Sequence, residues 1–209
     1  MELLQVDQTL QTRYAEEIPE LVWATGPVSY AYHFADRALF DAIVRGSWQQ
    51  DGSLFASDAT TLATDDGKLL GIEIGMPGPE YKTRQAGLAP VWKTLIAAGA
   101  IGGEQLGGIL ERSDHASWLN PFIGADTYYI HALSVKPEAR GQRIGYRLID
   151  NAMRKAREAG FVKLQLDVLS DNPAVQFYRS VGLELLAETR APKPAEFGVP
   201  PEYRMGMVL

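Results

Sequence analysis

The chain has 209 residues, 46% apolar and 22% charged, an ordinary balance for a soluble globular protein and enough length to bury roughly 70% of its unfolded surface in one domain. Its 20 Lys and Arg against 26 Asp and Glu leave a net charge of −6, which argues against a nucleic-acid-binding face. It has no cysteine, which excludes a disulfide scaffold, a thiolate nucleophile and cysteine-based zinc sites.

At the start, MELLQVDQTLQTRYAEE is acidic and lacks the positive-then-apolar pattern of a secretory signal. No apolar run reaches the roughly 18 residues of a transmembrane helix. A soluble cytoplasmic protein with no membrane and no nucleic-acid partner is the expectation. Residues 16–24, EEIPELVWA, predict a short helix closed by Gly26-Pro27. From 28 to 48, Tyr32, Leu39, Phe40, Ile43 and Val44 recur at roughly helical spacing, and Asp36 is a candidate cap for the second part. Two apolar runs flank Asp65-Asp66-Gly67, a strong hairpin signal, with strands expected near 59–64 and 68–75. Residues 78–123 (VWKTLIAAGAIGG, EQLGGILERSDHASWL) look helical but glycine-rich. Forty-odd residues are long for a plain connection, so an inserted helical element is expected.

The second half is more regular. TYYIHALSV (127–135) alternates as a strand and ends at Lys136-Pro137. RIGYRLIDNAMRKAREA (143–159) is amphipathic, with Ile144, Leu148, Ile149 and Ala152 on one face, and Gly160 closes it. KLQLDVL (163–169) is a strand, and Asn172-Pro173 starts a helix that runs to about Ser180, before Gly182. Leu183–Thr189 and Tyr203–Val208 are strand candidates joined by a Pro-rich connection. The class is a mixed α/β sheet with helices on its faces.

Between the strand at 127–135 and the next helix lies EARGQRIGY, residues 138–146. Free N–H groups and the helix dipole attract anions at such a helix start. Gly141 permits close backbone approach, Gly145 removes a side chain from the first turn, and Arg140 adds positive charge. Neither the P-loop pattern nor the Rossmann GxGxxG is present. On the glycines alone, a tight strand-to-helix turn is the better reading.

The wider context changes that reading. LSVKPEARGQRIGYRLI resembles the acyl-CoA-binding segment of the GNAT superfamily of N-acyltransferases, with Arg140 and Gly145 at motif positions and Arg143 where a central glycine is usual. DNPAVQFYRSVGL resembles the second hallmark of that superfamily through Asn172, Ala174, Tyr178, Gly182 and Leu183. The resemblance covers residues 127–190 best. It implies a single domain over 1–209 with a helical insertion at about 78–123, and a mostly antiparallel twisted sheet splayed at the acyl-CoA site. It also implies acetyl transfer from acetyl-CoA to a primary amine, either a small molecule or a protein amino group, by a monomer or homodimer.

The resemblance implies residue roles as well. The pyrophosphate would sit on the amides of 141–145, within a cofactor-binding set of Leu133, Ser134, Val135, Arg140, Gly141, Gln142, Arg143, Ile144, Gly145, Tyr146, Asn172, Ala174, Phe177 and Tyr178. Arg143 is alternatively a solvated first-turn residue, and Asn172 a helix cap. The N–H of Leu133 would be the oxyanion donor. Tyr178, protonated at neutral pH, would be the general acid for the departing thiolate, against a plain core role. His131 alternates with Tyr129 and Leu133 on one side of its strand and is the candidate base or water relay, against a strand histidine satisfied by the backbone. Glu73 is the runner-up carboxylate, against a solvent-facing strand residue. Acceptor contacts would come from Tyr30, Tyr32, His33, Glu73 and Tyr129, or these are core. His33 and His115 have no partners at metal-ligand spacing, so no metal site is expected. Two other readings stay open: a non-catalytic acyl-CoA sensor, and an α/β domain for some other phosphorylated ligand.

Overall fold

Asp66 and Gly67 both take positive φ, 47° and 69°, which is what a two-residue type I′ turn requires. They close the hairpin of β2 (Thr60–Asp65) and β3 (Lys68–Pro77). The computed structural model describes residues 1–117 and 122–209. The described sheet has seven strands in the order β1-β2-β3-β4-β5-β7-β6, with β1 (Glu2–Gln5), β4 (Thr127–Val135), β5 (Lys163–Leu169), β6 (Glu184–Thr189) and β7 (Glu202–Val208). Only β4 and β5 pair in parallel.

The edge strand β1 and helix α1 (Gln8–Tyr14) are absent from the sequence reading. β1 is four residues long, and α1 shows only Leu10 and Tyr14 as an apolar i,i+4 pair, so neither carries a period long enough to read. Asp7 caps α1 by accepting from the Leu10 N–H at 2.8 Å. α2 (Ile18–Trp23) lies where expected. The periodic stretch from 28 to 48 is two helices, α3 (Pro27–Phe34) and α4 (Arg37–Trp48). The break falls at Ala35, left-handed at φ 58°, and Asp36 caps α4 through the Leu39 N–H at 3.1 Å. Within the 78–123 segment lie the helices α5 (Tyr81–Ala86), α6 (Ala89–Ala97) and α7 (Gly103–His115). The end of that expected segment, 118–121, lies outside the described residues. α8 (Ile144–Glu158) and α9 (Ala174–Ser180) match the two helices expected in the second half. The Pro-rich connection contains a further short helix, α10 (Pro192–Phe197).

Strand alternation divides the core between the two faces of the sheet. Leu62, Ile72, Ile74 and Met76 pack against Leu21, Phe40, Ile43 and Trp48 of α2 and α4. On the other face Ile149, Ala152 and Ala156 of α8 meet Ile130, Leu164, Leu166 and Val168. Each of these larger side chains contributes roughly 1.5–3 kcal/mol by leaving water.

Candidate active site

The site begins where the sheet comes apart. β4 and β5 pair from Thr127/Lys163 to Ile130/Leu166 and no further. Beyond Ile130, β4 holds only its β3 partner. The Lys136 N–H donates to the Leu70 carbonyl at 2.8 Å. Strand groups alternate in direction, so the backbone groups of Ser134 and Ala132 also point toward β3. Those of Leu133 and Val135 point the other way, into the gap. The Val135 carbonyl accepts from the Arg140 Nε at 3.3 Å, while the Leu133 N–H faces the opening.

The β3–β4 register slips between Ile74/Ala132 and Gly75/Ile130, leaving His131 as the extra residue of a bulge. This corrects the expected alternation. Tyr129 and His131 share a face, with ring centroids 6.4 Å apart. Leu133 instead packs on the α8 side, with Ile144 and Leu148. One inserted residue reverses the parity of everything beyond it.

The loop into α8 is an open cradle. Gly141 and Arg143 adopt positive φ, 79° and 59°. Arg143 is the N-cap residue of α8 and supplies no side-chain cap. The first in-helix bond is Arg147 N–H to Arg143 carbonyl at 3.2 Å, so the amides of residues 143–146 have no acceptor within the helix. Neither Arg140 nor Arg143 has an ion-pair partner among the described residues. A Cβ at Gly145 would stand 3.3 Å from the Phe177 ring, so that glycine lets α8 and α9 approach closely. Tyr146 rests edge-on against Phe177, with centroids 5.0 Å apart. Gln142 is the one expected cofactor residue that does not line the cavity.

The left-handed Arg143 explains why glycine suits this position. Arg143→Gly is expected to stabilise the fold by roughly 0.5–1 kcal/mol and leave CoA affinity equal or better. Chemical denaturation and calorimetric titration check both. A large loss of affinity would mean that the guanidinium itself holds phosphate.

α9 forms the far wall. The Asn172 Oδ1 accepts from the Ala174 N–H at 2.9 Å, so its capping role is real, and Asn172 also lines the cavity. Tyr178 is 6% exposed, and burial pushes its phenol well above the usual range. Its hydroxyl has no protein partner among the described residues. It is therefore a protonated donor at any physiological pH.

The cavity, about 1500 Å³, passes through the gap from the α8–α9 side to the α3–α7 side. That exceeds the roughly 300–1,000 Å³ of a pocket for one drug-sized ligand, so two reactants can meet there. Unsatisfied amides at one end and a free strand edge in the middle fit a long phosphate-bearing cosubstrate such as acetyl-CoA.

Of the expected acceptor residues, Tyr30 and His33 line the cavity. Tyr32 does not; it packs with Leu169, Ala191 and Val199 in a separate cluster. Tyr129 is buried behind the wall, its hydroxyl donating to the Asp167 carboxylate at 2.9 Å. Glu73 is neither solvent-facing nor at the cavity. It is fully buried on the α8 face, paired with the Lys155 Nζ at 2.9 Å and approached by the Tyr128 hydroxyl at 3.4 Å. Its neighbours Ile72 and Ile74 fill the opposite core, so alternation turns Glu73 away from the acceptor side.

His131 sits among Phe55, Tyr81 and Tyr129. Its Nε2 is buried without a partner among the described residues, and burial lowers its pKa to about 4. The neutral ring can accept a proton at pH 7, but only as a weak base.

Sequence reasoning missed the acidic corner beside it. Asp167 lines the cavity and forms a two-point pair with Arg204, at 2.9 and 2.6 Å. The alternation of KLQLDVL, with Leu164, Leu166 and Val168 toward α8, was a usable signal that Asp167 faces the other way. Across from Leu169 stands Glu202, whose Oε2 is buried without a partner among the described residues. Burial first, then the neighbouring Asp167, raises its pKa to about 8. An unfolded glutamate titrates near 4.3. Between these values the folded chain binds more protons, so Glu202 weakens the fold progressively as pH rises from about 4 to about 8. Glu202→Gln is therefore expected to melt several degrees higher than wild type at pH 8.5 and equally at pH 4.5 in calorimetry.

Among the described residues no three metal-capable side chains come together, and no helix is long and apolar enough to cross a membrane. Residues 20–183 match the family model described as Acetyltransferase (GNAT) family. A protein of Bacillus subtilis (strain 168), provisionally named ribosomal protein bS18-alanine N-acetyltransferase, is 31% identical over 78 residues. That is 36% of this chain and 52% of the relative, so the match spans about half the length of that curated relative. An N-acetyltransferase from Staphylococcus aureus Mu50 superposes with a TM-score of 0.72 at 14% identity, over 99% of this chain and 100% of its own. The ribosomal-protein-S18-alanine N-acetyltransferase from Escherichia coli gives 0.54 at 14% identity, over 99% of this chain and 92% of its own. At such identities the likeness is one of fold.

Proposed function

The chain belongs to the GNAT acetyltransferase family, and from that premise we propose that it transfers an acetyl group from acetyl-CoA to a primary amine. The observation that carries this reading is the convergence of three features on one cavity: the unsatisfied amides opening α8, the Leu133 N–H in the strand gap, and the Tyr178 hydroxyl. The amides of 143–146 with Arg140 hold the pyrophosphate. Acetyl-CoA supplies the activated acyl group. The Leu133 N–H donates to the carbonyl oxygen as negative charge grows there. Tyr178 gives its proton to the departing sulfur. A phenol raised by burial in the free protein meets a stronger pull for that proton once a thiolate forms beside it.

The acceptor amine must lose a proton to attack. His131, neutral and at the bulge, faces the acceptor end, and its orphaned Nε2 takes that proton through water. Its low basicity makes it a relay rather than a reservoir. Glu73 has no part in this step, because it is tied to Lys155 on the other face. A protein working on acetyl-CoA in this way belongs where that cosubstrate is made, in the cytoplasm.

A thermal-shift panel tests the reading. Acetyl-CoA should raise the melting temperature, while ATP and NAD should not, and free CoA should appear on adding an amine. Stabilisation by ATP or NAD alone would replace it with another phosphorylated ligand. Acetyl-CoA binding without turnover on any amine would make the chain an acyl-CoA sensor.

A further inference from the structure

The acceptor end of the cavity differs in character from the cosubstrate end. Its floor is the sheet at the bulge, where His131 and Phe55 lie with centroids 5.3 Å apart. Its walls are aromatic: Tyr30 on one side, Tyr81 and Trp92 on the other. Leu110 and Ile109 of α7 complete the roof. The roof is fastened, since the Arg112 Nε on α7 donates to the His33 carbonyl at the end of α3 at 2.9 Å. α10 adds a second tie, with Phe197 against Tyr32 at 5.4 Å. The carboxylate of Asp167, which lines this end, is already held by Arg204 and the Tyr129 hydroxyl.

From this geometry we infer, resting on the acetyl-transfer reading above, that the acceptor is a small amine carrying an aromatic or branched apolar body, rather than the end of a polypeptide. A peptide lane would bring an N–H and a C=O at every residue, each needing a partner once out of water. The polar groups at this end, such as Ser29, Gln85, Ser113 and the Tyr30 and Tyr81 hydroxyls, are separate side chains on different helices rather than a row of backbone partners. The rings and leucines supply apolar area for a compact tail, and ring faces that attract an ammonium before it loses its proton. The 78–123 segment, which the sequence marks as an insertion, supplies Tyr81, Trp92, Ile109 and Leu110 to this wall and roof. Specificity therefore resides in α5–α7 and transfer chemistry in β4, α8 and α9.

The test measures initial rates of CoA release with three acceptors: 2-phenylethylamine, ethanolamine, and a hexapeptide with an N-terminal alanine. Acetyl-CoA stabilisation is measured in parallel. The phenyl compound is expected to exceed both others in kcat/KM by roughly 10- to 100-fold, the worth of burying one such tail. Trp92→Ala should raise KM for the phenyl compound by about 10-fold and leave the KM of acetyl-CoA unchanged. Leu110→Glu, at a residue 62% exposed and therefore no threat to folding, should raise the same KM. Preference for the peptide, equal use of ethanolamine, or acetyl-CoA binding without turnover on any of the three overturns the inference. Absence of both acetyl-CoA stabilisation and CoA release instead removes the acetyl-transfer reading beneath it.

Discussion

Tyr178→Phe is expected to lower kcat by about 100-fold or more while leaving acetyl-CoA affinity within a factor of about two. The substitution removes one oxygen and keeps the ring, so packing with Val175 and Leu183 survives. Among the described residues the hydroxyl has no partner to strand, which makes this a clean deletion of a proton donor. Steady-state kinetics with calorimetric titration of acetyl-CoA check it. The pH profile adds a second readout. Because burial keeps the Tyr178 phenol protonated across the working range, the mutant should lose rate by the same factor at every pH tested, with no change in the shape of the profile. Unchanged kcat would take Tyr178 out of the chemistry and leave it a core residue.

The second large effect concerns stability. Glu73→Ala is expected to destabilise the fold by about 3–5 kcal/mol, because it leaves Lys155 beneath α8 without its counter-charge. For a chain of this length that is a melting-temperature loss of roughly 10 °C. Among the described residues the Lys155 Nζ would keep the Thr61 hydroxyl at 2.9 Å and the Tyr128 ring at 5.7 Å. Replacing both charges together, Glu73→Leu with Lys155→Met, should recover most of the loss, since a buried pair gains little over apolar packing. Denaturant melts of the singles and the double close the cycle. If Glu73→Ala melts like wild type, the pair is not holding α8 to the sheet. Activity offers an independent check: the double mutant should turn over normally, which a catalytic Glu73 would not allow.

Much of the second half was legible because its periods are long and its punctuation is strong. The α8 stripe of Ile144, Leu148, Ile149 and Ala152, closed by Gly160, is the helix observed. The Asp65-Asp66-Gly67 turn announced its hairpin, and Asp36 its cap. The loop of Arg140, Gly141 and Gly145 was placed correctly at a strand-to-helix junction. Less was legible where elements are short or where a local irregularity reverses a pattern. β1, α1 and α10 run four to seven residues and are held by their partners rather than by their own periodicity.

The amino-acid order by itself determined most of which segments are helix or strand, where the glycine-bearing turn between strand and helix falls, and that Arg140–Gly145 and Asn172–Leu183 follow one another as two motifs. These depend on local dihedral preference and on spacing along the chain. Tertiary structure alone decided which side chains share a compartment. The bulge at His131 sends Leu133 to the opposite face, the pairing of β5 with β7 brings Glu202 and Arg204 to Asp167, and the turn of β3 commits Glu73 to Lys155 instead of the cavity. Facing and adjacency across a sheet are set by register. Register is fixed by the packed whole, because a slip of one residue exchanges the core face for the other.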